Sequence, residues 1–335
     1  MKTKSFKVLA VLTIVALFVL GFSSSTAFAL KKRPKFIKIA ASSMGGTWFP
    51  VCAATAEVLN RHIKGTIFTT TLGGSISTLK KIDEGTLYMG LSGGSTCYEA
   101  AEGIGTFKQP TKKSRTLGVY YSFPFNLVVR ADSDIRSVKD LEGKNVSGGK
   151  KGWSTELFFT HLLEANGISY DSIKAKGGHV VFAGWSQLIS MFKDRKLDCM
   201  IDPSPHPSPG VMEITALIPI RLLDLDPETI GKVEKLNRGY VKITCPGGTY
   251  RGQDKDVMQL GNPTVMLISS DIKDDLAYEI TKTIFENAKD ISQVHKVLKG
   301  FSIKNAFDGA YLPLHPGAYK YYQEKGMAIP GHLKP

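Results

Sequence analysis

The sequence predicts an α/β protein of two lobes, each a mostly parallel sheet flanked by helices, and three observations carry that reading. Strand-like and helix-like segments alternate from Phe36 onward. The order strand, glycine-bearing turn, helix, strand, turn, helix, strand runs from Phe36 to Met89 and returns from Val146 to Ile201. The chain has 335 residues, 42% apolar and 22% charged, enough to bury a large core and to divide into two domains.

In the first half, Phe36-Ile37-Lys38-Ile39-Ala40 alternates in polarity like a strand and runs into the turn Ser42-Ser43-Met44-Gly45-Gly46-Thr47. A helix follows, because Pro50 suits a first turn and Val51, Ala54, Val58, Leu59 and His62 recur at helical spacing until Gly65. Thr66 to Leu72 is rich in β-branched residues and breaks at Gly73-Gly74-Ser75, where a short helix through Leu79 and Ile82 begins. Leu87-Tyr88-Met89 reads as the third strand, with a further turn from Leu91 to Tyr98.

The second half repeats the order. Val146 ends a strand at Ser147-Gly148-Gly149-Lys150-Lys151-Gly152, and a helix with Leu157, Phe158, Leu162 and Ala165 closes at Asn166-Gly167. Val180-Val181-Phe182 reads as a strand broken at Ala183-Gly184, a helix carries Leu188, Met191 and Phe192, and Leu197 to Ile201 is the last strand. Phe125 to Arg130 and Thr264 to Ile268 are the expected hinge strands. Residues 30–124 and 265–335 then form the first lobe and residues 125–264 the second, with helical cover from Asp271 to Lys299.

In such sheets ligands bind beyond the carboxyl ends of the strands, where the glycine turns lie. Each turn leads into a helix N-terminus, whose unpaired N–H groups and dipole favour an anion. No Asp or Glu occurs in Ser42–Trp48, Leu72–Thr78, Leu91–Tyr98 or Ser147–Thr155, and Lys150 and Lys151 stand in the fourth turn. Glycine turns with Ser and Thr also serve simply to cap helices, but four at corresponding places point to a carboxylate or similar anion. The candidate ligand-binding residues are Ser43, Gly45, Gly46, Thr47 and Trp48 of the first turn and Gly74 and Ser75 of the second. Ser92, Gly93 and Ser95 follow from the third turn, and Lys151, Trp153 and Ser154 from the fourth. Trp185 and Pro203, the latter in the stiff loop Asp202 to Gly210, complete the set; His206 in that loop reads as a loop residue.

The first residues combine a basic start, an apolar run from Val8 to Phe22 and a small-x-small end at Ala27-Phe28-Ala29. This is the pattern of a cleavable export signal over residues 1–29, shorter than the roughly 20 apolar residues of a spanning helix. Export places Cys52, Cys97, Cys199 and Cys245 in a compartment that tolerates disulfides; their pairing is open, and buried thiols are an equal reading. No zinc pattern occurs, so neither metal nor cofactor is expected.

Four segments in order then resemble one family: Ser43 to Pro50, Gly73-Gly74-Ser75, Tyr250 to Val257, and Leu314-His315-Pro316-Gly317-Ala318. They are similar to the TAXI family, extracytoplasmic solute receptors of tripartite ATP-independent periplasmic (TRAP) transporters. The resemblance implies a type II-like, hinged periplasmic binding protein, a monomer that performs no bond chemistry and docks on a TRAP-type membrane permease. It departs from the family at Thr78, where Asn is frequent, and at Gly93-Gly94-Ser95, where a Gln-Ser-Asp-like triplet is expected. Glutamate- or glutamine-type ligands are usual there, yet the turns are poor in acids that would receive an ammonium group, so a small organic anion without an amine is the preferred ligand.

Two rival classes remain in view. Gly90-Leu91-Ser92-Gly93-Gly94 fits GxSxG, so a serine hydrolase with Ser92 as nucleophile and His295 or His315 as base is the enzymatic alternative. A formal charge of +13 raises nucleic-acid binding, but the basic residues are scattered rather than striped and interleaved with aromatics, so no nucleic-acid partner is expected.

Overall fold

The computed structural model describes residues 32–335 except Ser43 and Gly45; the expected signal over residues 1–29 and its cleavage after Ala29 lie outside the described residues. The first strand, β1 (Phe36–Ala40), alternates exposed and buried positions as its sequence requires. Helix α1 (Trp48–His62) follows the first turn, β2 (Ile67–Thr71) pairs with β1 in parallel, and α2 (Ser75–Asp83) leads to β3 (Met89–Gly93), parallel to β1 on its other side. Helix α3 (Gly94–Glu102) starts directly from the end of β3. Leu91, Ser92 and Gly93 are therefore strand residues rather than the turn their glycines predict, because Val265 and Met266 of a distant strand pair with Ser92 and Leu91.

Two long strands connect the halves. β4 (Ser114–Pro124) continues through Phe125 into β5 (Asn126–Arg130), and β10 (Val257–Ser269) returns, pairing antiparallel with β3, β4 and β9 (Val241–Cys245). The six-stranded first sheet runs β2-β1-β3-β10-β4, with β9 on β10. Pro263 is tolerated inside β10 because the register shifts there. The four-stranded second sheet runs β6 (Val146–Ser147), β7 (Cys199–Asp202), β5, β8 (Ile220–Leu222), with only β6 and β7 parallel. The mostly parallel sheets expected are thus corrected to mixed ones: β1 with β2 and β3, and β6 with β7, pair in parallel, while the crossing strands β4, β5 and β10 add antiparallel neighbours that outnumber them. Val180 makes a single bridge to Val146 and the expected strand 180–182 does not form.

The second sheet is buried on both faces. Leu127, Val129, Cys199 and Ile201 join the main core with Phe158 and Leu162 of α4 (Ser154–Ala165), while Val128, Met200 and Leu222 face α6 (Trp185–Lys193) and α7 (Pro209–Thr215). The alternation is the period of two that a strand imposes. α5 (Tyr170–Ala175) and α8 (Pro227–Leu236) complete this side, the latter started by Asp226, whose carboxylate accepts from Thr229 N–H at 2.8 Å. α9 (Asp274–Glu286), α10 (Ala288–Ser292) and α11 (Pro316–Glu324) cover the first sheet. Phe125 stacks on Phe158 at 4.5 Å and meets Phe123 at 5.6 Å, so aromatic packing runs continuously through the crossing, and 32–335 group as one body.

All four cysteines are buried and free, which settles the open pairing in favour of thiols. Among the described residues no helix is long and apolar enough to cross a membrane, and no group of three or more His, Cys, Asp or Glu is placed to hold a metal.

Candidate functional site

Register decides where the turns point. β3 ends at Gly93, opposite Thr264 of β10, and β10 extends past that end to Gly261, opposite Pro124. On the far side β7 ends at Asp202, opposite Asn126, the first residue of β5. The parallel strands of both sheets therefore aim their carboxyl ends at the same crossing segment, residues 122–126 and 259–264, from opposite directions. The turns after β1 and β2 and the start of α3 lie on one side of it and the turn after β6 on the other.

In the first turn, Gly46 and Thr47 are partly exposed and Trp48 is buried, its indole N–H donating to Thr264 Oγ1 at 3.1 Å. Ser43 and Gly45 lie outside the described residues. The Tyr121 hydroxyl joins Thr264 and Trp48, and burial pushes that phenol up from its ordinary range. Met44 and Leu72, exposed, mark the rim where Ala41 N–H donates to Thr71. Gly74 starts α2 in extended backbone, and Ser75 Oγ accepts from Gly93 N–H at 3.1 Å.

The third turn is occupied by the chain itself. Ser92 is fully buried and its hydroxyl donates to the Ser75 carbonyl at 3.3 Å. Asn262 Oδ1 accepts from Ser95 N–H at 2.9 Å, Asn237 Nδ2 donates to the Ser95 carbonyl at 3.0 Å, and the Asn262 carboxamide lies so close over Gly93 that a Cβ there would clash with Nδ2. Ser92, Gly93 and Ser95 thus sit beneath the crossing rather than on an open surface, a correction to their placement in a turn. The hydrolase constellation is also not assembled. His315 is fully buried, with Nε2 against the Ile272 carbonyl at 3.1 Å and Nδ1 accepting from Gly317 N–H, while His295 caps the 3-10 turn Lys296–Leu298. Among the described residues no histidine is a hydrogen-bond partner of Ser92.

Across the crossing, Ser147 Oγ accepts from Gly149 N–H at 3.1 Å and donates to the Val181 carbonyl. Trp153, the N-cap of α4, and Trp185, the first residue of α6, lie ring to ring at 4.9 Å; Ser154 is partly exposed and Lys151 exposed, its ammonium 4.8 Å over Phe182. Pro203 is partly exposed in the loop after β7. The structure so groups Trp153, Ser154, Lys151 and Trp185 on one side of the crossing and Gly46, Thr47, Trp48 and Gly74 on the other.

Helix starts differ in their caps. α1, α2, α3, α4 and α6 have no side-chain cap from their N-cap residue, and of these only α4 carries an acid in its first turn. α5, α7, α8 and α11 are capped by Ser169, Ser208, Asp226 and His315. α9 and α10 also start without a side-chain cap, at Lys273 and Asn287, but each carries an acid in its first turn, so α1, α2, α3 and α6 are set apart by having neither cap nor acid.

Sequence reasoning gave no site role to three residues here. Asp202, 5% exposed, stands where β7 meets the crossing; Ser204 Oγ donates to it at 3.1 Å and Asn126 Nδ2 lies at 3.4 Å, and burial raises its pKa from the ordinary carboxylate value. The turns themselves lack acids, and Asp202 lies outside them because it is the last residue of a strand. His206 Nε2 meets Asn126 Oδ1, and burial lowers that imidazole to about 4, so it is neutral. Asn126, which ties the loop through the Asp202 and Ser204 carbonyls at 3.0 and 2.8 Å, carries no sequence signal beyond its place at a strand start.

The family model described as NMT1-like family matches residues 39–326. Among solved structures, XAC2383 from Xanthomonas citri bound to ATP aligns at 12% identity over 87% of this chain and 95% of that one, with a TM-score of 0.51. The same protein bound to chloride ion aligns at 12% over 87% and 96%, TM-score 0.50. The periplasmic aliphatic sulphonate binding protein SsuA from Escherichia coli aligns at 14% over 87% and 84%, TM-score 0.45. The fold is that of the type II-like periplasmic binding proteins. The narrower likeness to TAXI receptors rests on the four sequence segments alone.

Proposed function

This chain belongs to the NMT1-like family, and on that premise we propose that it is an exported solute-binding protein that holds a small organic anion, a carboxylate, between its two sheets and delivers it to a membrane transporter. The TAXI-like segments favour a TRAP-type permease as that partner and the periplasm as its place. Residues 30–124 with 265–335 act as one lobe and 125–264 as the other, hinged where β4 passes into β5 and where β10 returns. The observation that supports this most is the register: Gly93 and Asp202, ends of parallel strands in different sheets, abut one crossing segment from opposite sides.

The chemistry is capture without bond making. An anion entering the gap meets N–H groups at the uncapped starts of α1 and α2 and then those of α4 and α6 as the halves close, so binding shifts an open–closed equilibrium. Micromolar affinity is roughly −8 kcal/mol, within reach of a few charge-assisted hydrogen bonds after the closure cost. Asp202 supports a second reading, an amino-acid ligand whose ammonium group it receives. Its oxygens already take bonds from Ser204 and Asn126, which leaves the anion without an amine as the first choice.

Mass spectrometry of the purified protein, followed by calorimetry with a panel of organic acids and amino acids, tests both. The expected result is a carboxylate bound at micromolar Kd with 1:1 stoichiometry. Tight glutamate or glutamine binding that is lost in Asp202→Asn selects the second reading. Stoichiometric labelling of Ser92 by a fluorophosphonate overturns both in favour of a hydrolase.

A further inference from the structure

We propose that the carboxylate is an aromatic one, its acid group held at the adjoining starts of α4 and α6 and its ring against the Trp153–Trp185 pair. This narrows the solute-binding reading above and rests on it. Four features of that corner converge. Gly149 has φ of +103°, and the point where a side chain would begin lies 2.9 Å from Thr155 Oγ1, 3.1 Å from Trp153 Cε3 and 3.1 Å from Trp185 Cη2. One hydroxyl and two indole edges thus border a single spot that only a glycine leaves clear. Thr155 is 2% exposed and its hydroxyl has no hydrogen-bond partner among the described residues, so a buried donor faces that spot unpaired.

The charge there is one-sided. The Lys150 ammonium is 5.7 Å from the Trp153 ring centroid, and its Cε and Nζ lie 3.5 and 3.9 Å from where a Cβ would stand on Gly184, the N-cap of α6. Lys151 lies over Phe182, and neither lysine has an ion-pair partner among the described residues. An ammonium at a helix N-terminus sits at the unfavourable end of the dipole, so these groups add to a positive pole instead of offsetting it. The first acid of α4, Glu156, is turned to the Tyr170 hydroxyl at 3.3 Å.

A carboxylate answers the two helix ends, the lysines and the Thr155 hydroxyl together. An amino-acid zwitterion brings its ammonium group toward Lys150 and Lys151, which like charge opposes. A short aliphatic acid satisfies the charge but leaves the tilted indole pair uncovered, whereas a flat ring takes the offset or edge contacts that such pairs favour.

The test is calorimetry and tryptophan fluorescence on the wild-type mature chain with benzoate, phenylacetate and 4-hydroxybenzoate against acetate, succinate and glutamate, with benzamide as the uncharged control, then on Trp185→Leu and Lys150→Gln. The aromatic acids are expected to bind at least tenfold more tightly than the aliphatic ones. Trp185→Leu should lose at least tenfold for the aromatic acids alone, and Lys150→Gln about fivefold for every carboxylate. Preference for succinate or glutamate, or equal binding of benzamide and benzoate, overturns the inference and leaves the receptor reading standing. Binding of none of the six acids overturns the inference as well, and a purified chain carrying no small molecule then counts against the receptor reading too.

Discussion

Glu99→Gln is expected to stabilise the protein at pH 8 and to do so much less near pH 5. Glu99 lies on α3, 2% exposed, 3.8 Å from Nε2 of His161 on α4, whose Nδ1 meets the Tyr240 hydroxyl at 2.9 Å; this is a seam of ionisable groups between helices of the two halves. Burial raises the Glu99 carboxyl to about 7 from an ordinary 4.5, against the opposing pull of the Thr106 backbone N–H, and burial lowers His161 to about 4. A carboxyl whose folded value lies above its unfolded one adds stability that is complete below pH 4.5 and lost as pH rises through 7. At 1.36 kcal/mol per pH unit the loss has a ceiling of about 3 kcal/mol, which solvent reaching the seam reduces to ~2. His161 works in the other direction, losing stability as pH falls from 6.5 towards 4, but it does so in wild type and variant alike. The difference between the two proteins isolates the carboxylate. Thermal unfolding by circular dichroism at pH 5, 6, 7 and 8 should show the variant gaining about 4 °C over wild type by pH 8. A difference that stays flat across that range refutes the argument.

Three further outcomes follow from packing. Gly90→Ala places a methyl 2.8 Å from Ala40 Cβ and from Thr78 Cγ2 and 2.9 Å from the Ala40 carbonyl, and urea denaturation should show a loss of about 1–3 kcal/mol. Trp48→Phe removes the donor to Thr264 Oγ1 and should cost about 1 kcal/mol of stability, with weaker carboxylate binding by calorimetry. The four thiols should be silent to Ellman's reagent in the native protein and react fully in guanidinium, since burial pushes Cys97 and Cys199 up to about 12.

What the sequence discloses is what neighbours along the chain decide. β1, α1, β2 and α2 follow from alternation, helical spacing and glycine punctuation within a window of about a dozen residues. Gly90 to Gly93 defeats that window, since its glycines signal a turn while Val265 and Met266, far away in the chain, hold Leu91 and Ser92 in a strand. β8 and β9 are short and polar on one side, and each exists because a remote strand offers a ladder, Val128 to Leu222 and Val257 to Cys245. α8 starts at Asp226 and Pro227, a cap and first-turn pair that lies outside the repeated strand–turn–helix order. For the site, the turns announce themselves through composition, whereas Asp202 and Asn262 act through tertiary contacts that no spacing encodes.

Bare helix ends among capped ones connect stability to binding with opposite signs, and Gly184 separates the two. Its backbone is extended, φ −79° and ψ 160°, the conformation an N-cap aspartate adopts, and a Cβ there meets only Lys150 Cε and Nζ, both at ordinary contact distance. Gly184→Asp is therefore free of strain. Its carboxylate would accept from the first N–H groups of α6 and face Lys150, raising unliganded stability by roughly 0.5–1 kcal/mol through the cap and the reduced freedom of the unfolded chain. The same carboxylate occupies the place proposed for the ligand's and repels it, so affinity should fall at least tenfold. Thermal unfolding of the unliganded variant and calorimetry with the best-bound acid read the two effects separately. If binding survives while stability rises, α6 starts beside the site rather than in it; if stability falls, the end of α6 is not the unmet positive pole that the argument requires.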